Sequence, residues 1–303
     1  MRVLVTGASG YLASHLTPRL LASGRHVLAW GGPHWQPTST DDHLQVAAVD
    51  LASVDGQLPE AQPVDAVIWL AQGRGHRQFP QSATDLSAVN LLGLTRVLDW
   101  ARRAGAERFV YASTANVYAP SFESLTEESP VEASGFYAAT KLAGEQLLRG
   151  YASFFSTQTL RIFGVYGPGQ REMLVRQLID RVTCGEPVVL QPAAQGVTDE
   201  GLRWTPCHAH DAAEAIVRLL DAPPDCDVIN LAGSETVSIA GVARAIGGCL
   251  GIEPHFSVAT ESRRLDLVAD NQRLRELMPD HHFITLAEAL PEILGIPARL
   301  AAV

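Results

Sequence analysis

Through the first two thirds of the chain, short apolar runs alternate with amphipathic stretches, and this alternation restricts the fold more than any other feature. Residues 2–6 read as a strand, 11–23 as a helix, and 26–30 and 45–49 as two further strands. Strand 65–70, helix 83–104, strand 108–113, helix 137–152 and strand 157–162 follow in order. Parallel strands need a long crossover, usually a helix, so the pattern predicts an α/β chain with a parallel sheet covered by helices on both faces. After residue 165 it loosens into helices and short strands, with Gly/Pro punctuation at 167–169 and 185–187. A strand near 227–231 is expected to return to the main sheet, and the segments 31–43 and 191–204 read as loops.

Composition excludes several classes of function. The net charge of −10 over 303 residues leaves no basic stripe, so nucleic acid is not an expected partner, and an anionic ligand would need local arginines. The four cysteines, at 184, 207, 226 and 249, form no Cys-x-x-Cys pair. Their spacing argues against a zinc site or a disulfide scaffold and suits a reducing cytoplasm. Strand-like Val3-Leu4-Val5 stands at the very start, leaving no room for a signal peptide. No apolar run approaches the ~20 residues a membrane span requires. The expectation is a cytoplasmic protein acting on a small molecule.

Two local patterns carry chemistry. Strand 2–6 runs into Gly7-Ala8-Ser9-Gly10-Tyr11-Leu12-Ala13, which opens the first helix. Glycines there permit a tight turn and close backbone approach, and the helix N-terminus then faces an anionic pyrophosphate. Ala13 supplies the third small position, where helix packs closely on strand. The second pattern is Tyr137-x-x-x-Lys141, whose lysine is alone in the chain against 22 arginines. Scarce lysine also fits codon bias. On a helix, residues i and i+4 share a face, and an ammonium near a phenol would lower the phenol's pKa from ~10. Lys would do this as a compact point charge, where Arg offers a broad planar fork.

With these motifs the chain resembles the extended short-chain dehydrogenase/reductases, specifically the nucleotide-sugar epimerase/dehydratase family. The resemblance runs from Val3-Leu4-Val5-Thr6-Gly7-Ala8-Ser9-Gly10 through Asp50-Leu51, Leu70-Ala71 and Asn90-Leu91-Leu92-Gly93-Leu94-Thr95. It continues through Arg108 to Tyr118, Tyr137 and Lys141, Leu160 to Gln170, and His208-Ala209-His210-Asp211. The resemblance implies a Rossmann-type doubly wound sheet with a smaller C-terminal substrate-binding lobe. The dinucleotide domain would take 1–165 plus about 205–231, and the lobe about 166–204 plus 232–303. It also implies a homodimer packed through helices 83–104 and 137–152.

By position, the resemblance implies Thr114, Tyr137 and Lys141 as catalytic residues: Tyr137 as acid/base, Lys141 on the nicotinamide ribose, and Thr114 on the same substrate oxygen. Hydride would pass between a carbinol carbon and the nicotinamide, chemistry that belongs to the cofactor. Ser113 is not expected in the role of Thr114, because the catalytic residue usually stands three before the valine of Val117-Tyr118. Cofactor contacts are implied from Gly7, Ser9, Gly10, Tyr11, Leu12, Asp50, Leu51, Leu70, Ala71, Gln72, Asn90, Lys141 and Phe163. Asp50 also reads as an ordinary turn residue.

The departures from the family pattern matter as much. Dehydratases of the family carry an Asp-Glu pair where this chain has Ala115-Asn116, and decarboxylating relatives place a glutamate in this stretch. Epimerisation or net ketone reduction is therefore expected. The acid that holds the adenosine ribose aligns with Gly31, yet no Arg follows to grip a 2′-phosphate, so NAD and NADP both stay open. Substrate contacts are implied from Thr114, Gly164 (where Asn is frequent) and Arg203, which stands one residue out of register; Arg171 and Arg176 are alternatives.

His208-x-His210-Asp211 also admits a metal reading, against which Asp211 is expected to cap a helix beginning at Ala212. No metal is expected. His281-His282 reads as surface, and the tryptophans at 30, 35, 69, 100 and 204 as packing, with Trp204 a possible border of the substrate. The leading function is an NAD(P)-dependent epimerase acting on a nucleotide-sugar. The alternatives are an NADPH-dependent ketoreductase on a 4-keto sugar or small ketone, and a non-catalytic NAD(P)-binding regulator.

Overall fold

The structure is a computed structural model that describes residues 1–36, 39, 41–75, 78–195, 199–223 and 227–296. Cys226 and parts of the loops read at 31–43 and 191–204 lie outside the described residues. The chain divides into two compact units. The first comprises Met1–Val117, Val131–Ile162 and Ala213–Ile229, and the second Tyr118–Pro130, Phe163–Ala212 and Asn230–Val303. Residues 118–130 and 205–212 thus group with the second unit, where the sequence places them in the first.

The first unit opens with β1 (Arg2–Thr6), α1 (Tyr11–Ala22), β2 (His26–Gly31), β3 (Leu44–Ala48) and β4 (Ala66–Trp69). It continues with α2 (Ala83–Ser87), a π-helical segment Ala88–Gly93, α3 (Leu94–Arg103), β5 (Arg108–Thr114), a short 3₁₀ turn Ala115–Val117, α4 (Phe136–Arg149) and β6 (Ser156–Ile162). The second unit contributes β7 (Val165–Tyr166), α5 (Leu174–Thr183), β8 (Val188–Leu190), β9 (Arg203–Trp204) and β10 (Cys207–His208). Next in the chain come α6 (Ala209–Asp221), which belongs to the first unit from Ala213 on, and β11 (Val228–Leu231), followed in the second unit by β12 (Val237–Ser238), α7 (Ile239–Leu250), β13 (Phe256–Val258), α8 (Gln272–Leu277) and α9 (Leu286–Ile293). Among the described residues, the main sheet is seven-stranded in the order β11-β6-β5-β4-β1-β2-β3.

Strands β3-β2-β1-β4-β5-β6 pair in parallel throughout, as helical crossovers require. Because helices cover both faces, the inner strands are apolar along their whole length: Val3, Leu4, Val5, Ala66, Val67, Ile68 and Trp69 are all fully buried. Strand order reverses beside β1, with β2 and β4 as its neighbours. Doubly wound sheets open a crevice for ligands at the C-terminal ends of strands at such a switch point. One face of the sheet is filled by Trp30, Trp69, Trp100, Phe109 and Tyr111, with the Trp100 ring edge-on to Trp30 at 4.9 Å.

Two elements differ from the sequence reading. The helix expected over 83–104 is interrupted by the π segment, and two tight contacts explain the wider turn. Asn90 is drawn inward to hydrogen-bond on both sides, and a Cβ on Gly93 would lie 2.8 Å from the Leu51 carbonyl oxygen. The loop expected over 191–204 ends in β9, because Arg203 and Trp204 pair antiparallel with Ser238 and Val237. The second unit has its own core, in which Tyr166, Ile179, Val188, Trp204, Ile239, Ile246 and Leu290 are buried together.

Candidate active site

The loop from β1 to α1 forms a cradle at the switch point. Gly7 holds φ +67, and a Cβ there would lie 2.7 Å from the backbone nitrogen of Ala71 and 2.8 Å from the carbonyl carbon of Leu70. Only glycine allows the two strand ends to approach this closely. Gly10 donates its N–H to the Gly7 carbonyl at 2.8 Å and begins α1 with no side chain to cap it. The first turn of α1 carries no acidic residue, so no carboxylate of its own offsets the positive end of the helix, which suits an anion. Ala13 is buried where α1 packs on the sheet. This cradle fits a dinucleotide pyrophosphate.

Most of the other residues that the resemblance implies for the cofactor lie, like the glycine loop, in the first unit. Ser9 Oγ accepts from the Gly32 N–H at 3.3 Å, and the Tyr11 ring packs edge-on to His15 at 4.9 Å. Leu12 is half-buried on α1 and Leu51 is buried in the core. Asp50 is exposed, and its carboxylate accepts from the Ala52 N–H at 3.0 Å, the bond of a turn residue. Ala71 is buried beside Gly7, while Leu70 is half-buried and Gln72 exposed. Asn90 is buried; its Oδ1 accepts from the Gly73 N–H and its Nδ2 donates to Thr140 Oγ1, each at 2.9 Å. It ties the segment after β4 to α4.

The catalytic candidates meet where β5 ends beside the start of α4. Tyr137 Oη donates to Gln72 Oε1 at 3.2 Å and also hydrogen-bonds Thr114. Thr114 and Ser113 point different ways, as alternate strand residues must. Ser113 Oγ donates to Glu145 at 2.5 Å inside the core, so Thr114 alone of the two reaches the phenol.

Lys141 turns its ammonium toward β5. Lys141 is 2% exposed, and its Nζ donates to the Ala112 carbonyl at 2.8 Å, over the face of the Tyr111 ring at 5.3 Å. The shared helix face aims the lysine at β5. Burial pushes the Tyr137 pKa up to about 12, against a partial downward pull from the Thr114 hydrogen bond. Burial likewise brings Lys141 down to about 7, opposed by the negative charge of Glu145.

Behind the lysine lies a network that the motifs did not reveal. Glu145 and Arg161, 1% and 3% exposed, form a buried ion pair at 2.9 Å, with Arg161 Nε also donating to the same carboxylate at 3.2 Å. Glu145 stands one helical turn after Lys141 and receives the Ser113 hydroxyl. The signal was present as Lys-x-x-x-Glu on one helix face, although only the structure shows that Arg161 of β6 meets it. Gly144 makes room for Tyr111, whose hydroxyl would lie 2.2 Å from a Cβ there and instead donates to the Lys141 carbonyl at 3.2 Å.

The remaining candidates belong to the second unit. Phe163 is buried against the Tyr118 ring at 6.0 Å. Gly164 has φ +109, a conformation that L side chains rarely adopt, so the backbone itself demands glycine where relatives often have Asn. Arg203 is half-exposed on β9; its Nε donates to the buried Asp266 at 2.9 Å and one terminal nitrogen donates to the Phe122 carbonyl at 3.2 Å. Of the alternatives, Arg176 is paired with Asp180, and Arg171 is exposed.

Asp211 does not cap a helix. It lies in the first turn of α6, where its carboxylate accepts from the Ile284 N–H and bonds His281 Nε2, both at 2.8 Å. His281 is therefore a structural partner of Asp211 and not a free surface residue, whereas His282 is exposed and bonds Glu288. His208 is buried among the Tyr166 and His210 rings.

Comparison with known proteins agrees with this geometry. The chain matches the model of the NAD dependent epimerase/dehydratase family over residues 3–232, and it belongs to that family. It is 27% identical to the uncharacterized UDP-glucose epimerase YtcB of Bacillus subtilis (strain 168), over 92% of each chain. Among solved structures it is similar to MoeE5 in complex with UDP-glucuronic acid and NAD, at a TM-score of 0.81, 27% identity and 99% coverage of both chains. The UDP-glucose 4-epimerase of Thermus thermophilus, solved with NAD, gives a TM-score of 0.81 at 25% identity over 98% of each chain. No described helix is long and apolar enough to cross a membrane.

The depressed pKa of Lys141 has a signature in stability. Between about 7 and 10.5 the unfolded chain holds a proton on this lysine that the folded chain lacks, so its contribution to stability rises with pH across that window. Measured by urea unfolding, the stability of the wild-type chain relative to Lys141→Met should therefore grow from pH 7 to pH 10. A difference independent of pH would show that the ammonium is not desolvated as described.

Proposed function

We propose that this chain is an NAD-dependent nucleotide-sugar epimerase of the extended short-chain dehydrogenase/reductase type, with Tyr137 as its acid/base. The observation that carries the reading is the convergence of Thr114, Tyr137 and Lys141 beside the glycine cradle, with Ala115 and Asn116 offering no acid for elimination. The relatives named above point to a uridine diphosphate sugar as substrate.

A bound nicotinamide supplies the hydride acceptor and, on return, the donor. The chain's own residues manage the proton. Tyr137 is fully protonated at neutral pH in this state, which suits delivery of a proton to a keto oxygen. Taking a proton from a hydroxyl requires the phenol pKa to fall, and the Thr114 hydrogen bond already pulls in that direction. Lys141 is held by the Ala112 carbonyl on β5, two positions before Thr114.

A second reading, reduction of a ketone with NADPH exchanged at every turnover, draws on Gly31, which leaves no carboxylate to repel a 2′-phosphate. Denaturing the purified protein and weighing the released nucleotide separates the two. Stoichiometric NAD is the expected result, and an empty protein or one loosely holding NADP would favour the reductase. Tyr137→Phe should lower turnover by roughly 10²–10⁴-fold while cofactor binding persists. Near-normal activity in that variant would remove the tyrosine from the mechanism, and retained cofactor with no turnover of any sugar nucleotide or ketone by the wild type would favour a regulator.

We also propose self-association through α4 and the helical stretch from α2 to α3. Ala83, Ala88, Leu92 and Phe136 line an apolar hollow on that face. Light scattering should give a dimer, and a monomer at micromolar concentration would contradict the proposal.

A further inference from the structure

The end of β2 is built in an unusual way. Gly31 is its last residue and is buried, and the Trp35 N–H donates to the Gly32 carbonyl at 2.9 Å, a turn that folds the indole back over Gly31. A Cβ on residue 31 would lie 2.1, 2.3 and 2.7 Å from Cε3, Cδ2 and Cγ of that indole. Real Cβ atoms are never this close to a ring, so the tryptophan fills the space in which any side chain at position 31 would start. Glycine at 31 is thus a condition for Trp35 to sit where it does.

The surroundings define which part of a ligand meets this ring. The Gly32 N–H donates to Ser9 Oγ at 3.3 Å, which sets the turn against the phosphate cradle. The Ala8 N–H donates to the Trp30 carbonyl and the Val49 N–H to the Gly31 carbonyl, each at 2.9 Å. The loops leaving β1, β2 and β3 are therefore laced together around Gly31. In a doubly wound sheet the adenosine half of a dinucleotide rests on this side of the switch point. The indole is half-buried and so keeps part of its surface open, and neither a carboxylate nor an arginine occurs in the described residues 31–36.

We propose that Trp35 is the adenosine contact of this chain: it takes the place of a ribose-binding carboxylate, replacing paired hydrogen bonds with aromatic packing against the nucleoside. The inference rests on the dinucleotide reading given above. Aromatic contact of this kind has a π-face for any base but no charge, so it neither repels nor grips a phosphate on the ribose.

The test is isothermal titration of the purified chain, stripped of nucleotide, with NAD⁺, NADP⁺, AMP and NMN⁺. Trp35→Ala should weaken NAD⁺ and AMP by roughly tenfold, as loss of one base–aromatic stack does, and leave NMN⁺ unchanged. Trp35→Phe should bind NAD⁺ nearly as the wild type does. Gly31→Asp alone should weaken NAD⁺, since the new side chain must displace the indole; placed on Trp35→Ala it should strengthen NAD⁺ and reject NADP⁺. Unfolding midpoints of the four variants, read alongside, separate loss of contact from loss of fold, and Gly31→Asp carries the test if Trp35→Ala is unstable. Unchanged or tighter NAD⁺ binding by Trp35→Ala would overturn the proposal, and so would Gly31→Asp binding NAD⁺ better with Trp35 in place. If the wild-type chain binds no dinucleotide at all, the dinucleotide reading itself falls, and this proposal with it.

Discussion

An ammonium taken out of water loses solvation worth several kcal/mol, of which the fixed dipoles and charges of a protein can return a part. Lys141 is in that position, and its neighbours read as the means of return. The Ala112 carbonyl accepts one of its N–H bonds, the Tyr111 ring presents its face, and Glu145 places a negative charge one helical turn away. Each of these has its own requirement. Tyr111 stands close to α4 only because residue 144 is glycine, and Glu145 is itself buried, so Arg161 and Ser113 must satisfy it. The end of β5, the first turns of α4 and the end of β6 are thereby fixed relative to one another before any substrate arrives.

The same strands meet a second constraint on the other side of the switch point. Gly7 and Ala71 bring the ends of β1 and β4 close together, an approach that a Cβ at position 7 would block. The π segment continues this logic. It lets Asn90 satisfy both Gly73 and Thr140, so the strand that borders the cradle is tied to the helix that carries Tyr137 and Lys141. The segment after β4 and the helix that carries Tyr137 are joined by hydrogen bonds through one carboxamide.

Much of this was legible in the sequence, because parallel strands buried on both faces leave continuous apolar runs that are hard to mistake. β1, β4, β5 and β6 fell within a residue or two of their expected limits, the glycine loop joins β1 to α1 as expected, and Tyr137 and Lys141 share α4. What escaped was whatever depends on contacts between distant residues. The Glu145–Arg161 pair joins a helix to the next strand, the His281–Asp211 bond spans 70 positions, and β9 exists only because 237 and 238 come back to pair with it. The direction of Lys141 escaped for a different reason. Helical spacing fixes which face a side chain shares, but a long flexible chain ends where its charge is best solvated, and here that place is a strand carbonyl.

The isolation of Lys141 has a practical meaning outside catalysis. All other cationic side chains of this protein besides histidine are guanidinium groups, and the one primary amine they leave is 2% exposed and held on a carbonyl. Acylating dyes, amine-reactive cross-linkers and lysine-capturing supports therefore find no side-chain handle on the folded surface. An enzyme that attaches a protein modifier to lysine meets the same blank surface, so tagging by that route must wait for the chain to unfold.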